Sequence, residues 1–490
     1  MRVKILLTFF VFSFIFKPDY SFDQDLGRHL KLGEVIWQTK AVPTTNLFSY
    51  TNPNFPFINT HWLFEVWTYL VSQINLNFLL VFKLVIYLTS VWLILKMVPK
   101  NNSILLLPIG FIFFHTLRER IELRPEFFSF LFTVSTCYIL EKYLRGPTKL
   151  VFLLPFIQLI WVNTHIYFFV GLILQAIFLI DLTYQKLHSH IGSGKLKISV
   201  IILILSVLTS LVNPNGLAGF LYPLNVTKNY GYTIVENQTI FLLESIDFQN
   251  PNFIWVKISL GIILLSILVV IPDIVRNLKI KKSRDPLLIV QDDKKGLIKN
   301  ILLAAFGAAL ASLNVRSFPY LVFLSLPAVL QNFGPLKSNW LTKTATVITA
   351  ILLIITTLNN FKTNQFPNLR FVESGKKALD FTLSNNLPGP IYNNFDIGSY
   401  IIYRGYPKYQ VFVDGRPEAY PAKFFSEVYI PTQADYSQFK NLEKQYNFKT
   451  IIFSITDQTP WGRSFLASVA QDNTWKAVYL DNFMVVLTKQ

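Results

Sequence analysis

Apolar windows of about 15 to 22 residues recur from the N-terminus to about residue 360, and nothing else in the chain limits its fold so strongly. They fall near 4–17, 77–97, 104–117, 125–144, 149–163, 165–184, 197–213, 253–275, 299–313, 317–333 and 341–360. In lipid a backbone must satisfy its own hydrogen bonds, so each window is predicted to be a helix, giving about eleven spans with short or tilted ones included. Arg2 and Lys4 precede the first window as in a secretory leader, but no small-x-small step follows Phe16-Lys17-Pro18, which predicts a retained first helix.

Composition agrees. A chain of 490 residues that is 52% hydrophobic and 15% charged, with 45 Phe and 22 Tyr, is not a soluble globule. The net charge of +17 does not indicate nucleic acid, because the basic residues lie in short loops between apolar runs and form no stripe on a soluble domain. Cys137 is the only cysteine and sits inside an apolar run, so neither a disulfide framework nor a thiolate metal site is available.

Lysine and arginine concentrate in cytoplasmic loops, which orients the spans. Arg2, Lys4, Lys96, Lys100, Lys142, Arg145, Lys149, Lys186, Lys195, Lys197, the cluster from Arg276 to Lys299, Lys337 and Lys343 occupy alternate loops and define the inner side. Asp23 to Glu65, Arg118 to Glu126, Asn163 to His165, Asn213 to Asn252 and Asn314 to Arg316 then face outward, as does the chain after residue 361. The motif-rich segments therefore share one predicted face, with Arg118, Arg120 and Arg124 as the exception to the charge rule.

The first outer loop, 18–76, carries more chemistry than a connector needs. Asp23 or Asp25 can take a proton from an acceptor hydroxyl, or hold a divalent cation such as Mg or Mn with His29 and Glu34 or Glu65; either can instead cap the amphipathic stretch Leu26 to Gln38. His61 is a proton carrier, a ligand or a hydrogen-bonded loop residue, and it precedes an interfacial stretch, Leu63 to Ile74, with Trp62 and Trp67 at headgroup depth. Arg118, Arg120 and Arg124 either pair with Glu119, Glu122 and Glu126 at a helix end or converge in the turn before Pro125 on a phosphate. Asn163 and His165 are expected to line a cavity, Arg316 to neutralise a lipid phosphate or to snorkel, and the long loop 213–252, with Glu236 and Glu244, to cover a substrate. Asn213-Pro214-Asn215-Gly216 is turn chemistry.

After residue 361 short strands near 391–392, 410–413, 450–454, 477–480 and 483–488 alternate with helices near 373–385, 396–404, 418–428, 436–446 and 460–471, which predicts an α/β domain. Asp414 and Arg416 fall just beyond a strand end, as ligand contacts or as a buried pair.

The ordered set DQDLGRHLKLGEVI, VPTTNLFSYTNP, HWLFEV, LRPEFFSFLF, WVNTH, LVNPNGLAGFLYPL, NVRSFPYLVFLSLPAVL, YNNFDIGSY and VFVDGRPEAY resembles bacterial polytopic proteins related to the GT-C glycosyltransferases, over nearly the whole chain. The resemblance implies an all-α membrane domain over 1–360 with an extracytoplasmic α/β domain over 361–490. It also implies inverting transfer of a sugar from a polyprenyl-phosphate donor to a glycan, lipid or protein acceptor outside the cytoplasmic membrane, with Asp25 or Asp23 as the base. Gly27-Arg28 stands where an aromatic pair often precedes the histidine, and Ile166-Tyr167 replaces small residues after His165. The partners expected are the lipid-linked sugar, the acceptor and the bilayer, with no nucleic acid; no Walker or GxGxxG pattern offers a nucleotide site. A lipid-linked-intermediate translocator or a polysaccharide-assembly protein is the competing reading, since the same arginines would hold a lipid phosphate without bond making.

Overall fold

The computed structural model describes residues 2–17, 25–99, 103–188, 193–226, 230–280, 296–334, 339–363 and 373–490. Asp23, Lys100 and Lys337 lie outside the described residues, as does most of the basic cluster before Lys299.

Each of the eleven apolar windows is helical. The helices are α1 (Arg2–Ile15), α2 (Leu26–Thr39), α3 (Trp62–Ile74), α4 (Phe78–Met97), α5 (Ser103–His115), α6 (Glu126–Arg145), α7 (Leu154–Thr164), α8 (Phe169–His188), α9 (Ser193–Ser210), α10 (Gly216–Asn225), α11 (Ile240–Ser245), α12 (Phe253–Ile280), α13 (Leu297–Leu313), α14 (Leu326–Phe333) and α15 (Trp340–Thr363). Among the described residues, four stretches are long and apolar enough to cross a membrane: Phe78–Met97, Ile166–Leu187, Phe253–Pro272 and Trp340–Thr363. Lys149–Thr164 and Leu297–Leu313 are shorter apolar helices. The window near 317–333 is a π-helical turn, Leu321–Ser325, running into α14, and every residue of that turn is buried.

Exposure follows the pattern expected of a lipid-facing surface. Val347, Ile351, Ile354, Ile355 and Leu358 on α15 and Ile201, Ile204, Leu205 and Leu208 on α9 are all exposed. The interior of the bundle is one continuous core running from Leu7 to Leu353. Within it Lys299 pairs with Glu141, and its backbone N–H donates to Asp181 Oδ1 at 3.3 Å, so an ion pair ties α13 to α6 and a hydrogen bond ties it to α8.

The C-terminal part is a four-stranded sheet, β1 (Ile391–Asn393), β2 (Thr450–Ser454), β3 (Trp475–Leu480) and β4 (Met484–Lys489), in the order β1-β2-β4-β3. β1 and β2 are parallel and the other pairs antiparallel. Helices α16 (Glu373–Ser384), α17 (Gly398–Gly405), α18 (Ile430–Ala434), α19 (Tyr436–Tyr446) and α20 (Pro460–Val469) accompany it. The strand expected at 410–413 is not in this sheet. Val411 instead forms an isolated parallel bridge with Ser49 of the first loop, because Phe412 N–H is taken by the Asn393 side chain at 2.9 Å. The helix expected at 418–428 is a 3-10 turn, Pro417–Ala419, followed by a π-helical segment, Phe424–Tyr429.

The first loop and the C-terminal sheet share their cores. Leu32 and Phe48 pack with Ile391, Ile401, Val411 and Val486, while Phe57 packs with Tyr392, Phe412 and Phe425. Glycines allow α2 to lie between two neighbours: a Cβ on Gly33 would stand 2.0 Å from the Glu65 carbonyl oxygen of α3, and one on Gly27 2.5 Å from the Ser399 carbonyl oxygen of α17.

Candidate functional site

Four segments far apart in sequence meet at one charged cluster. Asp25, at the start of α2, accepts from Arg28 Nη2 at 2.7 Å and Nε at 3.2 Å on one oxygen, and lies 3.3 Å from Arg124 Nη1 on the other. It caps α2 in position only, because no side-chain cap bond forms. Arg124 Nη1 also donates to Glu236 Oε2 at 3.0 Å. Arg120 Nη1 lies 2.7 Å from Glu236 Oε1, and its Nη2 pairs with Glu126. Arg316 completes the ring, 3.2 Å from Glu236 Oε2 and 3.4 Å from Glu126 Oε1. Four guanidiniums thus face three carboxylates, with Glu122 and Glu418 in electrostatic reach of Arg120 and Arg28, and the guanidinium forks are shaped for oxyanions. Burial opposes ionisation of Asp25, but Arg28, Arg124 and Arg316 outweigh it and hold the carboxyl below the usual aspartate value. Glu236 is likewise held low: burial is opposed and overcome by Arg120, Arg124 and Arg316.

Beside the charges runs a row of histidines. His29 Nδ1 lies 3.0 Å from Glu65 Oε1, and Asn59 Nδ2 donates to Glu65 Oε2 at 2.6 Å. The His29 ring stands 5.8 Å from that of His61, and His61 5.5 Å from His165. His165 Nδ1 meets Ser129 Oγ at 2.7 Å, and Trp161 donates to the same hydroxyl at 2.7 Å. The His165 ring stacks on Tyr167, which stacks in turn on Tyr320. His29, Glu65 and His165 are buried, whereas His61 is half-buried and has Thr60 Oγ1 3.3 Å from its Nδ1. Burial drives the Glu65 carboxyl up to about 7, against the hydrogen bond from Asn59. Burial and then the Arg28 charge push His29 well below the usual histidine value.

Not every predicted residue arrives. Arg118 turns away from Arg120 and Arg124, donates to Asn360 Oδ1 at 3.1 Å and lies over Phe14 and Phe10, so the expected three-arginine fork is formed instead by Arg120, Arg124 and Arg316. The reason is local: Thr116–Arg120 is a 3-10 turn, which points Arg118 and Arg120 apart. Asn163 commits its amide to structure, accepting from Trp62 Nε1 at 2.7 Å and donating to Leu159 and Val212 carbonyls at 2.8 and 2.9 Å. Asp414 and Arg416 form a bidentate buried pair, both bonds 2.7 Å, braced by Asn46 at 2.9 Å and Tyr420 at 2.9 Å and flanked by Phe48 and Phe57. That pair clamps the first loop to the sheet.

The cation expected on Asp25 with His29 and Glu34 or Glu65 does not suit these residues. Both Asp25 oxygens face arginines, His29 faces Glu65, and Glu34 pairs with Lys31 at 2.7 Å. Among the described residues no group of three or more His, Cys, Asp or Glu side chains is placed to hold a metal. Arg28, Asn59, Ser129 and Tyr320 belong to the cluster or the histidine row without having been singled out as site residues. Arg28 was visible only as a departure from an aromatic pair, and it supplies the first partner of Asp25.

No protein-family model and no curated protein sequence matches the chain. Among solved structures it is similar to the archaeal oligosaccharyltransferase AglB from Archaeoglobus fulgidus, solved in complex with an inhibitory peptide and a dolichol-phosphate. The TM-score is 0.53 at 10% identity, with 95% of this chain and 70% of that one covered. The likeness supports a GT-C-like fold and, with the apolar helices, membrane-protein character.

Proposed function

We propose that the chain transfers a glycosyl group from a polyprenyl-phosphate donor to a glycolipid, polysaccharide or protein acceptor on the outer face of the cytoplasmic membrane. In this reading the eleven apolar windows of 1–360 cross the bilayer with the N-terminus inside, and the sheet-bearing part after 361 stands outside. The observation that carries it is the convergence of Asp25, Arg120, Arg124, Glu236 and Arg316, from segments whose loops are expected to face outward, on one arginine-rich cluster. The fold shared with an oligosaccharyltransferase solved with a dolichol-phosphate supports it.

Asp25 Oδ2 takes the acceptor's proton, and the acceptor oxygen attacks the anomeric carbon from the side opposite the phosphate. The carbon–oxygen bond to the phosphate breaks, the phosphate leaves with the electron pair, and the configuration inverts. Arg124, Arg120 and Arg316 carry the charge that develops on the leaving group, where preorganised donors in a water-poor site act most strongly. A carboxylate held by two arginines is a weak base, so Arg124 has to release Asp25 when the donor's phosphate binds. The same clamp favours the second reading, a protein that holds or translocates the lipid-linked intermediate without bond making.

Reconstitution in lipid vesicles with a panel of radiolabelled polyprenyl-phosphate monosaccharides and a membrane glycolipid extract separates the two. Transfer of label to the extract with release of free polyprenyl phosphate is the expected result. Label that crosses the bilayer still attached to its lipid would establish the translocator instead.

A further inference from the structure

Glu236 is the most heavily engaged carboxylate of the cluster, and the backbone that carries it is pinned on both sides. Upstream, Tyr232 stacks on Phe395 at 4.6 Å and packs on Phe425 and Tyr429 in the C-terminal part. Gly231 passes Ala422 so closely that a Cβ would stand 1.9 Å from its carbonyl oxygen. Downstream, Val315 N–H donates to the Gln238 carbonyl at 3.1 Å, which ties the strap to the segment bearing Arg316. Between these pins the two Glu236 oxygens meet three guanidiniums, at 2.7 Å (Arg120), 3.0 Å (Arg124) and 3.2 Å (Arg316). The three arginines belong to the turn after α5, the segment before α6 and the turn after α13, and nothing in local helix structure requires them to face one point. The Glu236 side chain remains 30% exposed, so it has a route from the arginines to solvent.

We propose that the Arg120, Arg124 and Arg316 cradle is the seat of the donor's phosphate and that Glu236 fills it in the resting protein as an internal counter-ion which the phosphate displaces. This rests on the lipid-phosphate reading above and adds to it an order of events. Arg124 Nη1 is shared: the same nitrogen lies 3.0 Å from Glu236 Oε2 and 3.3 Å from Asp25 Oδ2. The donor's phosphodiester brings one negative charge and two free oxygens, as the Glu236 carboxylate does, and adds the contacts of its own lipid and sugar, so it competes for that nitrogen and draws it toward itself, the more so as charge grows on the departing phosphate. Seating the donor therefore loosens the hold of Arg124 on Asp25 Oδ2, while Arg28 keeps Oδ1 in place, so the base is released on that side only when there is a leaving group to act on.

The test is the affinity of polyprenyl monophosphate for the full chain in nanodiscs, for wild type, Glu236→Gln and Arg316→Ala. A self-occupied site binds its ligand with an affinity reduced by the fraction of molecules in which it is vacated. Glu236→Gln is expected to tighten binding by about tenfold, and Arg316→Ala to weaken it. Unchanged affinity in Glu236→Gln with weakened binding in Arg316→Ala would overturn the displacement while leaving the arginine site intact. No change in either removes the phosphate site and this inference with it. A nitroxide at Val235→Cys, an exposed strap position, reports on a chain that keeps Glu236 and so decides the matter even where Glu236→Gln does not fold. Its motion is expected to increase on saturation with polyprenyl monophosphate, and an unchanged spectrum would refute displacement.

Discussion

At the scale of single residues, the site places ionisable groups in opposed environments. Asp25 and Glu236 lie half-buried among arginines and are held low, whereas Glu65 is buried beside a histidine and an amide and rises to about 7. A carboxyl whose folded pKa exceeds its ordinary 4.5 stabilises the fold fully below that pH, and the contribution is lost as pH rises through about 7. His29 and His61, kept uncharged by burial, act with the opposite sign: their contribution is present above 6.5 and lost as pH falls. The difference between wild type and Glu65→Gln isolates the carboxyl. Its thermal midpoint, measured from pH 4.5 to 8 in detergent, should fall with rising pH for wild type relative to the variant; parallel curves would show that Glu65 is not raised. Residue types at this scale were legible in the sequence. Asp25, His29, His61, Glu65, Arg120, Arg124, His165 and Arg316 all lie in the cluster or the histidine row. Partner geometry was not legible, because Arg118 and Arg120 differ only in which way a 3-10 turn points them, and no spacing rule distinguishes a buried brace such as Asp414 with Arg416 from a ligand contact.

At the scale of elements, the α2–α3 pair holds the histidine row. Gly33 lets the helices touch at the Glu65 backbone, one helical turn along from His29. Gly33→Ala would force a methyl carbon to 2.0 Å from the Glu65 carbonyl oxygen, where backbone has to move. Overpacking of this kind costs about 1–3 kcal/mol. Gly33→Ala is expected to lower the midpoint by several degrees, while Gly146→Ala, with nothing within 4 Å of its Cβ, leaves it nearly unchanged. Equal midpoints for the two would contradict the packing. The apolar windows and the turn residues predicted the helices well, because 20-residue hydrophobic runs leave the backbone little choice. The strand at 410–413 was lost for a tertiary reason: its partner is Ser49, more than 360 residues away in the chain.

At the scale of the whole molecule, the composition shift near residue 361 marks the end of the apolar windows, but the core beyond it is not self-sufficient. Leu32, Phe48 and Phe57 from the first loop fill its interior, and Arg416 reaches back to Asn46. Residues 373–490 expressed alone should bind a hydrophobic dye and melt without cooperativity, and co-expression with residues 25–61 should restore a sharp transition. A cooperative isolated fragment would show that the loop merely rests on it. This interlock sets the first loop, and Asp25 with it, against Glu236 and the arginines.

The central claim is that Asp25 acts in bond making and not in holding the lipid, and the most direct test is a paired measurement on Asp25→Asn. Removing a base that works only in the transition state leaves ligand binding intact while turnover falls by about 10²- to 10⁴-fold. We expect transfer from radiolabelled polyprenyl-phosphate sugar to collapse in Asp25→Asn while the Kd for polyprenyl monophosphate stays within a few-fold of wild type. Transfer at the wild-type rate in Asp25→Asn would contradict the account.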